Sequence, residues 1–299
     1  MDIKLGSNQY IAGEYQVAVI GGGHAGCEAA LPIRAAAKAA RMGMATVLIT
    51  MNPESIAMAP CNPAIGGPAK SVVVREIDAL GGEMARAADA ASIQYRMLNL
   101  GKGPAVHSLR AQADRRKYQE DMKRVLERQE HLDLKQAMVV SVGLTDGHIS
   151  SVTTRLGAVY EVKAVVIASG TYLDARVITG ECAYSSGPDG MQAGIGLTEC
   201  LKAFGLRMRR FKTGTPPRIN RRSVDVSKME LQPGDEQPVP FSFSTTEAVQ
   251  NQAVCYLTYT NEETHRIIRE NFARSPLFNG MIESVGPRYC PSIETKIDR

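Results

Sequence analysis

Two short apolar runs flank a glycine cluster near the start of the chain. Residues 16–20 (Gln-Val-Ala-Val-Ile) have the unbroken hydrophobicity of a strand buried on both faces, and Gly21-Gly22-Gly23-His24-Ala25-Gly26 follow at once. An Ala-rich segment then leads to residues 45–50 (Ala-Thr-Val-Leu-Ile-Thr), a second strand. Strand, glycine turn, helix and strand in that order predict the opening of a parallel, doubly wound sheet. Residues 61–67 form a Pro/Gly loop. Pro68 suits the first turn of a helix that reaches Leu80, where Gly81-Gly82 stop it. Another helix is predicted over residues 110–129, with Tyr118, Met122, Val125 and Leu126 on one face.

From residue 133 to 169 the pattern turns to strands: 135–142, a turn at Asp146-Gly147, then 149–155, 158–162 and 164–169. This predicts a small β-meander feeding a buried strand that ends at Ser169-Gly170. Beyond Gly170 the periodicity weakens. Five of the 15 prolines fall in residues 213–240, which reads as a linker or long surface excursion. Helix returns over 262–272, and the stretch from 280 is loop-like. The fold class is α/β, a Rossmann-like domain of parallel sheet plus β-meander.

Composition narrows the function. The 299 residues carry 35 Lys+Arg against 31 Asp+Glu, a formal net charge of +4, and 44% are apolar. That apolar fraction excludes disorder as the main state, and no apolar run approaches the roughly 18–20 residues of a membrane span. The first seven residues lack the apolar core of a secretory signal. Six cysteines with no Cys-x-x-Cys pair point to a reducing, cytoplasmic setting. Five histidines without His-x-x-x-His spacing give no support for a metal site.

Gly21, Gly23 and Gly26 match the Gly-x-Gly-x-x-Gly turn in its required place, after a strand and before a helix. The first glycine permits the tight turn, the second lets backbone approach a pyrophosphate, and the third lets helix and strand pack closely. The carboxylate that usually closes the second strand is absent, and Glu54 is the nearest. Residues 165–170 (Val-Val-Ile-Ala-Ser-Gly) read either as a strand returning under a cofactor or as an ordinary core strand with a turn.

Two cysteines keep unusual company. Cys61 lies between Pro60 and Pro63, with Gly66, Gly67 and Lys70 following; Cys290 is followed by Pro291 and lies two residues from Arg288. A helix N-terminus or a cation beside a thiol favours the reactive thiolate. Cys27, Cys182, Cys200 and Cys255 sit in ordinary helical or strand-like runs and read as packing. Finally, residues 201–222 hold Lys202, Arg207, Arg209, Arg210, Lys212, Arg218, Arg221 and Arg222 and no acidic residue. Such a tract suits a phosphate backbone as well as it suits a solvated basic face.

Several blocks together resemble the tRNA uridine 5-carboxymethylaminomethyl modification enzymes (MnmG, or GidA). They are residues 21–30 (Gly-Gly-Gly-His-Ala-Gly-Cys-Glu-Ala-Ala), 61–67 (Cys-Asn-Pro-Ala-Ile-Gly-Gly), 76–82, 110–114, 212–219 (Lys-Thr-Gly-Thr-Pro-Pro-Arg-Ile) and 285–294. The resemblance implies an FAD enzyme that also uses NADH and methylene-tetrahydrofolate. With a partner GTPase, MnmE, such enzymes build an aminomethyl-type group on C5 of the wobble uridine of tRNA. It places the family's two cysteines on Cys61 and Cys290, and its FAD turn on Gly21, Gly22, Gly23, His24, Ala25 and Gly26. Further FAD contacts fall on Met138 and Gly194, and a region assigned to NAD falls on Gly286, Pro287, Arg288 and Tyr289. Arg207, Arg209, Arg210, Lys212, Arg218, Arg221 and Arg222 become tRNA contacts.

On this basis residues 1–200 are expected to form the first part of an FAD domain, 201–280 an inserted α+β domain that meets tRNA, and 281–299 a return segment. Family members run to about twice this length and are homodimers, so this chain is expected to correspond to the front portion only. Its first helix is about six residues longer than the family pattern and contains Pro32, which predicts a bulge or kink. A folate- and FAD-dependent tRNA uridine methyltransferase, and an FAD- or RNA-binding module without turnover, are the competing readings.

Overall fold

The computed structural model describes residues 5–31, 43–283 and 292–297. The chain begins β1 (Tyr10–Glu14), β2 (Val17–Ile20), α1 (His24–Ala30), β3 (Thr46–Thr50), β4 (Ala64–Gly66), α2 (Pro68–Ala79) and α3 (Met84–Ala91). It continues β5 (Ser92–Leu98), β6 (Ser108–Ala113), α4 (Arg115–Glu127), β7 (Leu132–Gln136), β8 (Val139–Thr145), β9 (His148–Thr154), β10 (Ala158–Glu161) and β11 (Ala164–Ile167). Then come β12 (Arg176–Thr179), β13 (Cys182–Ser185), α5 (Leu197–Ala203), β14 (Glu230–Gln232), β15 (Cys255–Leu257) and α6 (Glu262–Glu270).

A parallel sheet in the order β11-β2-β3-β7 lies at the centre. Alternate residues of its inner strands enter different cores, as the period of two along a strand requires. Val19 and Leu48 pack with Cys27, Ala88, Met122 and Leu126 on the helical side. Ala18, Ile20, Val47 and Ile49 pack with Val142, Val152, Leu197 and Leu201 on the other. That second side is covered by α5 and the sheet β1-β10-β9-β8, so helices, parallel sheet and meander form three layers. Burial on both faces is why β2 and β3 read as continuous apolar runs.

The helical layer follows from local signals. The Asp114 carboxylate caps α4, accepting from the amides of Arg116 at 2.9 Å and Lys117 at 3.2 Å. Tyr118, Met122 and Leu126, spaced by four, are buried. Pro68 opens α2 as the sequence predicts. Glu28 on α1 caps α3 from a distance, its carboxylate accepting from the amides of Met84 at 2.6 Å and Glu83 at 3.1 Å. Burial raises the Glu28 pKa, and these two backbone bonds oppose the rise.

Four expectations are corrected. Residues 110–113 belong to β6, because this segment pairs with both β4 and β5, and the helix starts only after the Asp114 cap. Residues 135–142 are not one strand: β7 joins the parallel sheet and β8 the meander, with the break at 137–138. The strand after the meander is not buried, since β11 is the edge of its sheet and Val166 and Ile167 are 39% and 40% exposed. Cys182 is exposed on β13 and is not a packing residue. The extra residues and Pro32 of the first helix lie outside the described residues. Among the described residues no helix is long and apolar enough to cross a membrane.

Candidate dinucleotide turn and cysteine loop

The glycine turn joins the carboxyl end of β2 to α1. Gly21 has φ +108°, and a Cβ there would lie 2.4 Å from the carbonyl oxygen of Ala168. A Cβ at Gly26 would lie 1.8 Å from the carbonyl oxygen of Gly21. Both glycines are therefore required by the fold itself. Gly23 is different: a Cβ there would meet no heavy atom within 4 Å, and its φ is an ordinary −74°. The space beside it is open, and α1 has no side-chain cap at Gly23. The first-turn amides of a helix lack intrahelical partners and attract anions. An open cradle at such a terminus fits the pyrophosphate of a dinucleotide.

The two looser expectations fall in the same region. Ala137 donates its amide to the Thr50 carbonyl at 2.9 Å, which sets Met138 just past the carboxyl end of β3. Gly194 bridges to Leu173, and a Cβ on it would lie 4.0 Å from the sulfur of Met51. Gly21, Gly26, Met138 and Gly194 thus gather at the carboxyl ends of parallel strands, where ligands of open α/β sheets bind. His24 sits within the turn, its Nδ1 3.4 Å from the Tyr118 hydroxyl. Burial, and then the charge of Lys70, lower its pKa and favour neutral imidazole. Glu54 is turned to another task, pairing with Lys123 Nζ at 2.5 Å.

Cys61 lies close by in the chain path, since Ala57 donates its amide to the Gly22 carbonyl at 2.8 Å. The Cys61 thiol is half-buried and donates to the Gly214 carbonyl at 3.0 Å. Arg218 Nη2 donates to the carbonyls of Cys61 at 2.7 Å and Pro60 at 3.2 Å. The loop of residues 212–219 is thereby brought onto the cysteine loop. Lys70 Nζ is engaged by the Ala64 carbonyl at 3.4 Å. Cys290, Gly286, Pro287, Arg288 and Tyr289 lie outside the described residues. Cys27 is a packing residue as expected: it is fully buried, and burial pushes its thiol up to about 12.

In the basic tract, Arg207, Arg209, Arg221 and Arg222 are exposed and Lys212 is half-buried. Arg210 Nη1 donates to the Asp174 carbonyl at 3.0 Å. Arg218 is exposed but already committed to backbone carbonyls. Three carboxylates to which the motifs assign no task hold distant segments by their backbone: Glu28, Asp78 and Asp89. A trace of Asp78 was present in the sequence, since it falls four residues after Val74 on the buried side of α2. Its partners are more than 160 residues away.

The layered fold and its strand–glycine turn–helix unit define a Rossmann-like α/β protein. The family profile described as "Glucose inhibited division protein A" matches residues 16–299. The chain is 56% identical over 291 residues to the tRNA uridine 5-carboxymethylaminomethyl modification enzyme MnmG of Caldicellulosiruptor saccharolyticus, covering 97% of this chain and 46% of that protein. It is 58% identical over 292 residues to the MnmG of Clostridium kluyveri, again covering 97% and 46%. The crystal structure of Aquifex aeolicus GidA superposes with a TM-score of 0.86 at 47% identity, covering 95% of this chain and 47% of that one. The chain belongs to the GidA family, whose curated members carry the name MnmG, and it spans about half the length of the relatives it matches.

Proposed function

We propose that the chain provides the FAD-binding and nucleophile-bearing part of a tRNA-modifying enzyme, acting in the cytoplasm on C5 of the wobble uridine. Gly21, Gly22, Gly23, His24, Ala25 and Gly26 would hold the FAD pyrophosphate, with Met138 and Gly194 beside it. When bound, FAD would supply the redox chemistry of a one-carbon unit taken from methylene-tetrahydrofolate, with NADH as reductant and residues 286–289 as its contact. Uridine C5 is a poor nucleophile. Addition of the Cys61 sulfur to C6 makes C5 an enolate carbon able to take a one-carbon electrophile, and loss of the C5 proton and the thiolate restores the ring. Cys290 would serve as the acid or base, or exchange roles with Cys61. The uridine must leave its stack to be reached, and residues 207–222 would hold the surrounding phosphates.

The observation that carries this reading is the bond between Cys61 and Gly214, which joins the candidate nucleophile to the loop bearing the basic tract. As in the family, MnmE would be the partner GTPase, and a homodimer and further chain would complete the enzyme. The domain limits 1–200, 201–280 and 281–299 follow from the same reading. Nucleoside mass spectrometry of tRNA from cells that rely on this protein tests it. Cys61→Ser and Cys290→Ser should each abolish the modified wobble uridine, and wild-type levels in both variants would remove the thiolate mechanism.

A further inference from the structure

The arginine that the basic tract offers to RNA is held against the backbone of the cysteine loop. The carbonyl of Pro60 lies in the peptide plane before Cys61, and the carbonyl of Cys61 in the plane after it. Fixing the two planes fixes φ and ψ of Cys61, and with them the direction of its Cα–Cβ bond. Arg218 Nη2 bonds both carbonyls, at 3.2 and 2.7 Å. The remaining torsion, χ1, is set by the bond from the thiol to Gly214, four residues before Arg218 in the same loop. The two carbonyls that flank the Cys61 Cα and its thiol are therefore all restrained from Gly214 and Arg218.

We propose that Arg218 is a positioning residue for Cys61, bracing the cysteine loop through its backbone rather than acting first as a phosphate contact. A guanidinium suits this role: it is permanently charged, its donors have a fixed geometry, and bonds from a charged donor to carbonyls are stronger than neutral ones. Lysine offers the charge without the planar fork. Nη1 and Nε of Arg218 make no bond among the described residues and remain available beside the cysteine loop. A substrate anion that engaged them would meet the brace and the thiol together. The inference rests on reading Cys61 as the nucleophile.

Alkylation by iodoacetamide, followed peptide by peptide by mass spectrometry on the intact chain, tests the brace without requiring turnover. Cys182 is exposed and serves as the reference rate, while Cys27 is fully buried and reports unfolding. In Arg218→Met the loop should open more often, and Cys61 should be labelled about tenfold faster than in the wild type while Cys27 stays protected. Arg218→Lys should fall between the two. Equal Cys61 rates in wild type and Arg218→Met would overturn the proposal. So would a Cys61 increase matched at Cys27, because that is loss of the fold. Failure here leaves the Cys61 reading intact, whereas Cys61→Ser tests that reading without touching the brace.

Discussion

Asp78 and Ser242 stand 164 residues apart in the chain and share a hydrogen bond of 2.7 Å. The other oxygen of Asp78 accepts the Phe243 amide at 2.7 Å. From α3, Asp89 accepts the amides of Phe241 at 2.7 Å and Ser242 at 2.9 Å and the Thr245 hydroxyl at 2.7 Å. Two helices thus grip one turn by its backbone, and the fully buried Phe241 ring anchors it. The excursion expected over residues 213–240 ends in a docked segment.

Removing the Asp89 carboxylate leaves two amides and the Thr245 hydroxyl without their acceptor and takes one of two acceptors from the Tyr95 hydroxyl. Asp89→Ala should lower unfolding stability by about 3 kcal/mol, since an unsatisfied polar group costs roughly 1–3 kcal/mol. Urea denaturation measures this, and a loss below about 1 kcal/mol would mean that water replaces the clamp.

The glycine turn separates folding from binding. Gly26→Ala puts a methyl group into the Gly21 carbonyl and should destabilise the chain by about 3 kcal/mol or more. Gly23→Ala meets open space and should change stability by less than about 1 kcal/mol, yet it should weaken FAD uptake at least tenfold. Thermal melting with and without added FAD, together with a flavin fluorescence titration, distinguishes the two. Unchanged FAD affinity in Gly23→Ala would move the pyrophosphate elsewhere.

His24 gives the fold a dependence on pH. Its pKa is lowered from 6.5 in the folded chain, first by burial and then by Lys70. Between the folded value and 6.5 the unfolded chain binds more protons, so stability falls as the pH drops below 6.5. His24→Gln should remove that component. The stability difference between about pH 7 and about pH 5 should be smaller in the variant. An identical difference would show that His24 titrates freely.

Glu28 is expected to matter more for α3 than for the cofactor turn it neighbours. Glu28→Ala leaves the amides of Glu83 and Met84 without this acceptor and should reduce stability by about 1–2 kcal/mol. Hydrogen exchange should rise first at those two amides. Exchange that rises only at α1 would contradict the capping role.

The parts of this molecule legible in the sequence are those whose cause is local. The runs of β2 and β3 are apolar throughout because both faces are covered, and the glycine turn is written in six consecutive residues. The surroundings of the Cys61 thiol were not legible: Lys70, near in sequence, bonds the Ala64 carbonyl, and the thiol donates to Gly214, 153 residues away. What failed depended on partners far along the chain. Residues 110–113 have the composition of a helix and became a strand because β4 and β5 flank them. Nothing in Gln136-Ala137-Met138-Val139 marks the passage from one sheet to another. The role of Arg218 was hidden because a cation among cations reads as phosphate-binding, while its acceptors, Pro60 and Cys61, lie more than 150 residues away.

The open flank of β11 has a practical meaning for anyone handling the chain. Among the described residues its backbone bonds only β2, and Val166 and Ile167 stand beside the other side. A bare, apolar strand edge is a template for a strand from another molecule. Because its attraction is apolar, self-association through it should strengthen on adding sulfate, whereas contacts through the basic tract should weaken as salt rises. Light scattering across a sulfate series would then report which surface brings molecules together, and a charged residue in place of Val166 should keep them apart.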